Sequence, residues 1–211
     1  MNTSDLELYL VTNPLEDEDK FLNTIEESLK GGVTIVQLRE KDKDTGDFYN
    51  IAVKVKEITD KYDVPLIIND RIDIMLAIDC AGIHIGQSDM PCNIAREMIG
   101  NEKIIGVSAH SIAEAKKAQE DGADYLGCGA VYPTKTKKNA NHVPKEMLND
   151  IADSVDIPIV AIGGINLENA MNLAGTDIAG LCVVSAIMNA ENPKKASEKL
   201  LEISKNIINE D

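Results

Sequence analysis

Along the chain, short runs of apolar, β-prone residues alternate with longer stretches whose apolar positions recur at helical spacing. The runs are LYLVT (8–12), TIVQLR (34–39), PLIIND (65–70), GIHIG (82–86), IIGVSA (104–109), DYLGCGAV (124–131), PIVAIGG (158–164) and GLCVVSAI (180–187). After the first run, DEDKFLNTIEESLKGG places Phe21, Leu22, Ile25 and Leu29 on one helical face, and Gly31-Gly32 predicts the stop of that helix. TGDFYNIAVKVKEITDKYDVP and SIAEAKKAQEDGAD repeat the scheme, each ending just before the next run. Strands this continuously apolar are those of a parallel sheet buried on both faces. Eight of them alternating with about eight helices in 211 residues predict a compact (β/α)8 TIM barrel. A doubly wound sheet is the competitor, but no Gly-rich dinucleotide turn follows the first strand. No Pro- or Ser-rich linker interrupts the pattern, so residues 1–211 are expected to form one domain.

Composition narrows the function classes more than the fold. Apolar content of 44% and charged content of 27% are those of a soluble globular protein, and no apolar run approaches the ~18 residues of a membrane span. The N-terminal MNTSDLELYLVTN lacks a basic segment followed by an apolar one, so no secretory signal is read and a cytoplasmic protein is expected. A net charge of −15 repels phosphate at long range, which argues against nucleic acid and anionic membrane as partners. It leaves room for small phosphorylated ligands, which feel the local field of their pocket. Association with copies of the same chain is compatible with the sequence and not dictated by it. Cys80, Cys92, Cys128 and Cys182 have no C-x-x-C spacing and read as reduced, mostly buried thiols.

In a barrel of this kind the chemistry lies where strands end and βα loops begin. Those positions hold Gln37 to Lys41, Asn69-Asp70-Arg71, Gly86 to Asp89, Ser108-Ala109-His110, Pro133 to Lys137, Gly163 to Asn166 and Val184-Ser185-Ala186. Asp70 and Asp89 end consecutive strands and can share a hard cation such as Mg2+, with substrate phosphate completing its shell. Helix N-capping is the alternative for each. Gln37, Arg39 and Lys41 alternate, so period two sends them one way, and two cations with an amide suit a diphosphate. Arg39 is one of three arginines beside eighteen lysines; an ion pair with Glu40 or Asp42 is its alternative. AIGGIN and VVSAI follow strands seven and eight, where glycine lets backbone approach an anion and helix starts offer free N–H groups. Of the histidines, His84 reads as a hydrogen-bonded barrel residue and His142 as a loop residue. His110, just past Ser108, is the one with a candidate direct role.

Taken together, QLREK, INDRIDIMLAIDCAGIHIGQSDMP, IGVSAH, DYLGCGAVYPTKTKK, VAIGGIN and VVSAI resemble the thiamine-phosphate synthase family in order and spacing, from Leu8 to about Ile187. The family is a (β/α)8 barrel. It is a transferase that joins 4-amino-5-hydroxymethyl-2-methylpyrimidine diphosphate to 4-methyl-5-(2-phosphoethyl)thiazole and releases pyrophosphate in a dissociative substitution. The resemblance implies that Gln37, Leu38, Arg39, Glu40 and Lys41, with Asn69, Ser108 and Lys137, hold the pyrimidine diphosphate. It also implies that Asp70 and Asp89 hold Mg2+, and that Thr134, Lys135 and Thr136 contact the thiazole phosphate with Gly164, Val184 and Ser185. Arg39, Lys41, Ser108 and Lys137 are then the catalytic set. Residues 133–142 read as a lid, mobile without ligands and ordered once phosphates occupy the mouth. Ala130, Tyr132 and Asn139 depart from the family's usual Pro, Phe and Asp, which bears on the closed geometry of that loop. Three rivals share the scaffold. A thiazole tautomerase would use a His at position 110 but lacks the full Asp pair and the PTKTK stretch. A non-catalytic phosphate-binding barrel would not need both aspartates, and sugar-phosphate epimerases need more metal ligands than the chain offers.

Overall fold

The computed structural model describes residues 2–134, 136 and 141–209. Every apolar run contains a strand: β1 (Leu8–Val11), β2 (Ile35–Leu38), β3 (Leu66–Asn69), β4 (Gly82–Ile85), β5 (Ile104–Ala109), β6 (Tyr125–Cys128), β7 (Ile159–Ile162) and β8 (Gly180–Val183). They pair in sequence order, and β8 returns to β1 with Tyr9 opposite Cys182, so the sheet is a closed parallel barrel. The intervening helices are α1 (Glu18–Lys30), α2 (Thr45–Asp60), α3 (Ile72–Ile78), α4 (Cys92–Ile99), α5 (Ile112–Glu120), α6 (Lys145–Ala152), α7 (Ser185–Met188) and α8 (Pro193–Ile208). This is the (β/α)8 barrel expected from the sequence.

Local chemistry sets the helix starts. The side chains of Asp17, Asp44, Ser111 and Asn192 each accept a hydrogen bond from the backbone N–H three residues on, opening α1, α2, α5 and α8. Each such cap is worth about 1 kcal/mol. α1 stops at Gly31, and Gly32 follows at φ +93°, as the Gly-Gly pair predicted. Between β7 and β8 the regular alternation breaks. A 3-10 turn, Ala170–Leu173, stands where a full helix is usual. Asn166 and Asn169 cap the chain leading into that turn, their side chains taking up the N–H groups of residues 166, 168 and 169.

Strand alternation divides the apolar residues into two layers. Leu8, Leu10, Val36, Leu38, Ile68, Ile83 and their equivalents face outward and meet the helices in one continuous buried cluster. Tyr9, Val11, Ile35, Ile67, Tyr125, Val160 and Cys182 face inward and fill the barrel. All four cysteines are free and buried, and burial pushes the Cys80 and Cys92 thiols up to about 11. Thiols held protonated in this way are poor nucleophiles. Among the described residues, no helix is long and apolar enough to cross a membrane.

The inward layer leaves no slack at β5. A Cβ on Gly106 would overlap the ring and hydroxyl of Tyr125 and Nδ1 of His84. Gly106→Ala is therefore expected to destabilise the barrel by ~1–3 kcal/mol, the usual penalty of overpacking. Urea denaturation monitored by circular dichroism checks this, and an unchanged midpoint would show that the Tyr125 ring can move aside.

Candidate functional site

The C-terminal ends of the strands surround a cavity of about 510 Å3, within the range of small-molecule sites. Its polar groups reach it by the same alternation that builds the core. On β2, β3, β4 and β5 the inward residues nearest the mouth are Gln37, Asn69, His84 and Ser108, all lining the cavity. Gln37 Nε2 donates to the Tyr9 hydroxyl at 2.8 Å. The Tyr9 and Tyr125 hydroxyls are 2.6 Å apart, Tyr125 Oη lies 3.0 Å from His84 Nδ1, and His84 Nε2 lies 3.0 Å from Ser108 Oγ. His84 is thus the hydrogen-bonded barrel residue that the sequence indicated. Asn69 Nδ2 is buried against the cavity and has no acceptor among the described residues. A donor left so is one that a ligand can satisfy.

Asp70 and Asp89 meet on the rim. Asp70 leaves β3 in the left-handed region, φ +61°, with its N–H bonded to His84 O at 2.9 Å. A non-glycine residue there is uncommon, and Asp is among the few that tolerate it. Its carboxylate pairs with Lys41 Nζ. The Asp89 carboxylate closes its own turn by accepting from Gly86 N at 2.7 Å. Neither aspartate caps a helix: the N-cap positions of α3 and α4 are Arg71 and Pro91, both without a side-chain cap bond. Partial burial and an Asp70 carboxyl within hydrogen-bonding reach push Asp89 above the usual carboxylate range, while the Gly86 N–H and, less strongly, Lys41 pull the other way. Among the described residues no group of three or more His, Cys, Asp or Glu side chains is arranged to hold a metal, here or elsewhere.

Opposite this acidic pair lie the β7 and β8 exits. Gly163, Gly164, Val184 and Ser185 line the cavity there, joined by Thr134 and Thr136 from the β6 loop. The N–H groups of Gly164 and Ser185 donate to no acceptor among the described residues. Gly164 has φ +69°, and a Cβ on it would crowd the backbone of Tyr132 and Pro133. Its missing side chain therefore serves the packing of the β6 loop as well as any approach of an anion. Tyr132 adds a tie at the same place, its hydroxyl donating to Asn169 O at 3.0 Å, while Asn169 Nδ2 donates to Gly164 O at 2.9 Å. Where the family often has Phe, this hydroxyl couples the β6 and β7 loops.

The residues indicated by sequence divide accordingly. Gln37, Arg39, Lys41, Asn69, Asp70, Asp89, Ser108, Thr134, Thr136, Gly164, Val184 and Ser185 share the cavity. Leu38 and Glu40, expected with them at the diphosphate, do not line the cavity. Leu38 is fully buried in the outer apolar layer, and Glu40 is 7% exposed and away from the cavity wall. One-residue alternation turns both side chains away from the ligand space. Lys135, Lys137 and Asn139 lie outside the described residues, and with them most of the expected lid. His110 lines the cavity, its ring held by Glu114 through Nδ1 at 3.0 Å, and His142 Nδ1 donates to Ala130 O at 3.2 Å. Sequence reasoning missed Tyr9 and Tyr125. The available signal was a tyrosine at the inward position of LYLV and of DYLG, where the rest of each strand is aliphatic or small.

The family model for thiamine monophosphate synthase matches residues 8–187, which is most of the chain. The chain belongs to that family. It is 68% identical to the thiamine-phosphate synthase of Methanobrevibacter smithii over 202 residues, covering 96% of this chain and 97% of that one. With the thiamine-phosphate synthase of Clostridium tetani it shares 54% identity over 198 residues, 93% and 94% of the two chains. Among solved structures, the thiamine phosphate pyrophosphorylase of Pyrococcus furiosus superposes with a TM-score of 0.89 at 39% identity, over 98% of each chain. Membership in the thiamine monophosphate synthase family agrees with a mouth in which two carboxylates face free backbone N–H groups.

The carboxylate pair has a cost that can be measured. Below the ordinary Asp value of 3.8, folded and unfolded chains both hold the Asp89 proton, and the pair contributes nothing. As pH rises from there to the raised folded value, the unfolded carboxyl ionises first, so stability falls; above that value the penalty is complete. In chelator-treated protein, Asp89→Asn should therefore melt higher than the parent at neutral pH, with the gap closing under acid conditions. Scanning fluorimetry across pH checks it, and a gap independent of pH would contradict the repulsion.

Proposed function

We infer that the protein is a thiamine-phosphate synthase, joining the aminopyrimidine diphosphate to the thiazole phosphate and releasing pyrophosphate. The observation that carries this reading is the pair of facing carboxylates, Asp70 and Asp89, in one cavity with Arg39, Lys41 and an unsatisfied Asn69 amide. Two carboxylates beside cations suit Mg2+, which keeps one or two protein carboxylates and takes its other ligands from phosphate and water. Asp70 and Asp89 are the residues to hold it, and when bound it neutralises charge on the departing diphosphate.

The remaining roles fall to the chain's own groups. Arg39 and Lys41 bind and orient the diphosphate, and Asn69 Nδ2 donates to it or to the ring it carries. Lys137, which lies outside the described residues, is read from the family pattern as a further cation on the leaving group. The Gly164 and Ser185 N–H groups and the Thr134 and Thr136 hydroxyls take the thiazole phosphate, with Lys135 assigned there by the same resemblance. Val11, Val160 and Ile162 give the cavity apolar walls that exclude water from the methylene cation. The thiazole nitrogen attacks that cation, so no protein nucleophile is needed, and holding both rings in one cavity supplies much of the acceleration. Four buried, free thiols suit the reducing cytoplasm in which this chemistry is placed.

A coupling assay with both substrates, with and without Mg2+, tests the reading. Product should require all three, and absence of product from the folded protein would sink it. Asp70→Asn and Asp89→Asn should each lower kcat/KM by on the order of 100-fold, about 2.7 kcal/mol of transition-state stabilisation. Lys137→Ala should lower kcat well below that of Lys138→Ala; equal losses in the two would remove the leaving-group role of Lys137.

A further inference from the structure

Building on the proposed reaction, we propose that Tyr9, Tyr125 and His84 are positioning residues. They form a one-way hydrogen-bond chain that fixes His84 in its Nε2–H tautomer and turns the Ser108 hydroxyl proton toward the ligand.

The direction follows from counting protons. Burial, the largest cause, pushes the pKa of Tyr9 and Tyr125 far above the usual phenol range, so each keeps its hydroxyl proton. A phenol has one proton to give and accepts through its oxygen. Gln37 Nε2 donates to Tyr9, which fills an acceptor site there. Among the described residues the Tyr9 hydroxyl has one other partner, Tyr125, so the Tyr9 proton goes to Tyr125. Tyr125 in turn gives its proton to His84 Nδ1 at 3.0 Å. A histidine accepting at Nδ1 is neutral and carries its proton on Nε2, which then donates to Ser108 Oγ at 3.0 Å. Ser108 is left with a proton to offer into the cavity it lines.

Running the chain the other way, with Ser108 donating to Nε2, strands the Tyr9 proton beside a donor in a fully buried site. The distinction matters for chemistry. A serine whose proton is held by histidine resembles an activated nucleophile; a serine that accepts from histidine is a fixed donor for a ligand nitrogen or phosphate oxygen. The geometry assigns the second role. Steric room for it is built in. Gly106 lacks the Cβ that would overlap Tyr125 and His84 Nδ1, and a Cβ on Gly127 would come 3.1 Å from His84 Cε1.

Long-range 1H–15N correlation spectra of the ligand-free protein with 15N-labelled histidine read the tautomer directly. The chain has three histidines, so His84→Gln assigns the signal by its disappearance. The expected result is an unprotonated Nδ1 and a protonated Nε2 near neutral pH. A neutral ring protonated at Nδ1, or an imidazolium, overturns the proposal. In Tyr125→Phe, Nδ1 loses its donor, so the His84 signals should move toward a tautomer average and kcat/KM should fall roughly tenfold. An unmoved tautomer would overturn the chain, and if this variant does not fold, the parent spectrum decides alone. His84→Gln keeps a side-chain N–H for Ser108 and should retain more activity than His84→Leu; equal loss in both would reduce His84 to packing. A protein that couples the substrates yet shows the wrong tautomer fails this inference only. The right tautomer without coupling fails the functional reading only.

Discussion

Two tyrosines inside a closed barrel impose a requirement on everything around them: their hydroxyls cannot reach solvent and must be bonded within the protein. Tyr9 and Tyr125 meet at 2.6 Å across the barrel interior. Leaving either hydroxyl unpaired would cost about 1–3 kcal/mol. Gln37 on β2 and His84 on β4 complete the pairing, and His84 passes it to Ser108 on β5. Side chains from five strands are thereby tied into one polar layer above an apolar floor of Ile35, Ile67, Val160 and Cys182. The glycines at 106 and 127 follow from the same requirement, since side chains there would crowd the rings. A cavity floor held by both packing and hydrogen bonds presents its groups without reorganising when a ligand arrives.

How much of this the sequence revealed depends on the kind of physics involved. Continuous apolar runs located all eight strands, because a strand buried on both faces has no other way to read. Gln37, Arg39 and Lys41 emerged on the mouth from period-two spacing alone, and the same spacing, applied strictly, would have set aside Leu38 and Glu40. The resemblance that included those two was a statement about a segment, and a segment does not say which way each side chain points. Asp70 and Asp89 were legible as a pair, but nothing local distinguished a cap from a metal ligand. The structure removes the cap, through the left-handed turn at Asp70 and N-cap positions taken by Arg71 and Pro91. Tyr9 and Tyr125 stayed hidden because their partners are brought together only by barrel closure, 116 residues apart along the chain. Gly164 was seen as an anion contact, whereas its crowding by the β6 loop is a tertiary fact.

Charge gives the mouth its remaining logic. In a chain of net charge −15, Arg39 and Lys41 stand at the strand ends beside two carboxylates that repel one another. Lys41 relieves part of that repulsion through Asp70, at the expense of its freedom to meet a ligand. On the proposed reading Asp70 and Asp89 would hold a cation, which would relieve their repulsion and leave Lys41 able to meet a diphosphate. Metal and diphosphate would then each be poorly accommodated alone and well accommodated together. This is a coupling free energy between two ligands, and it is reciprocal by thermodynamic necessity.

Isothermal titration of Mg2+ into the protein, in the absence and presence of saturating inorganic pyrophosphate, measures that coupling directly. With the free binding of Mg2+ to pyrophosphate subtracted, the ion should bind weakly to the protein alone and at least tenfold more tightly to the protein–pyrophosphate complex. Equal affinity in the two titrations would show that the carboxylates and the diphosphate do not share a metal, and would contradict the assembly of this site around its ligands.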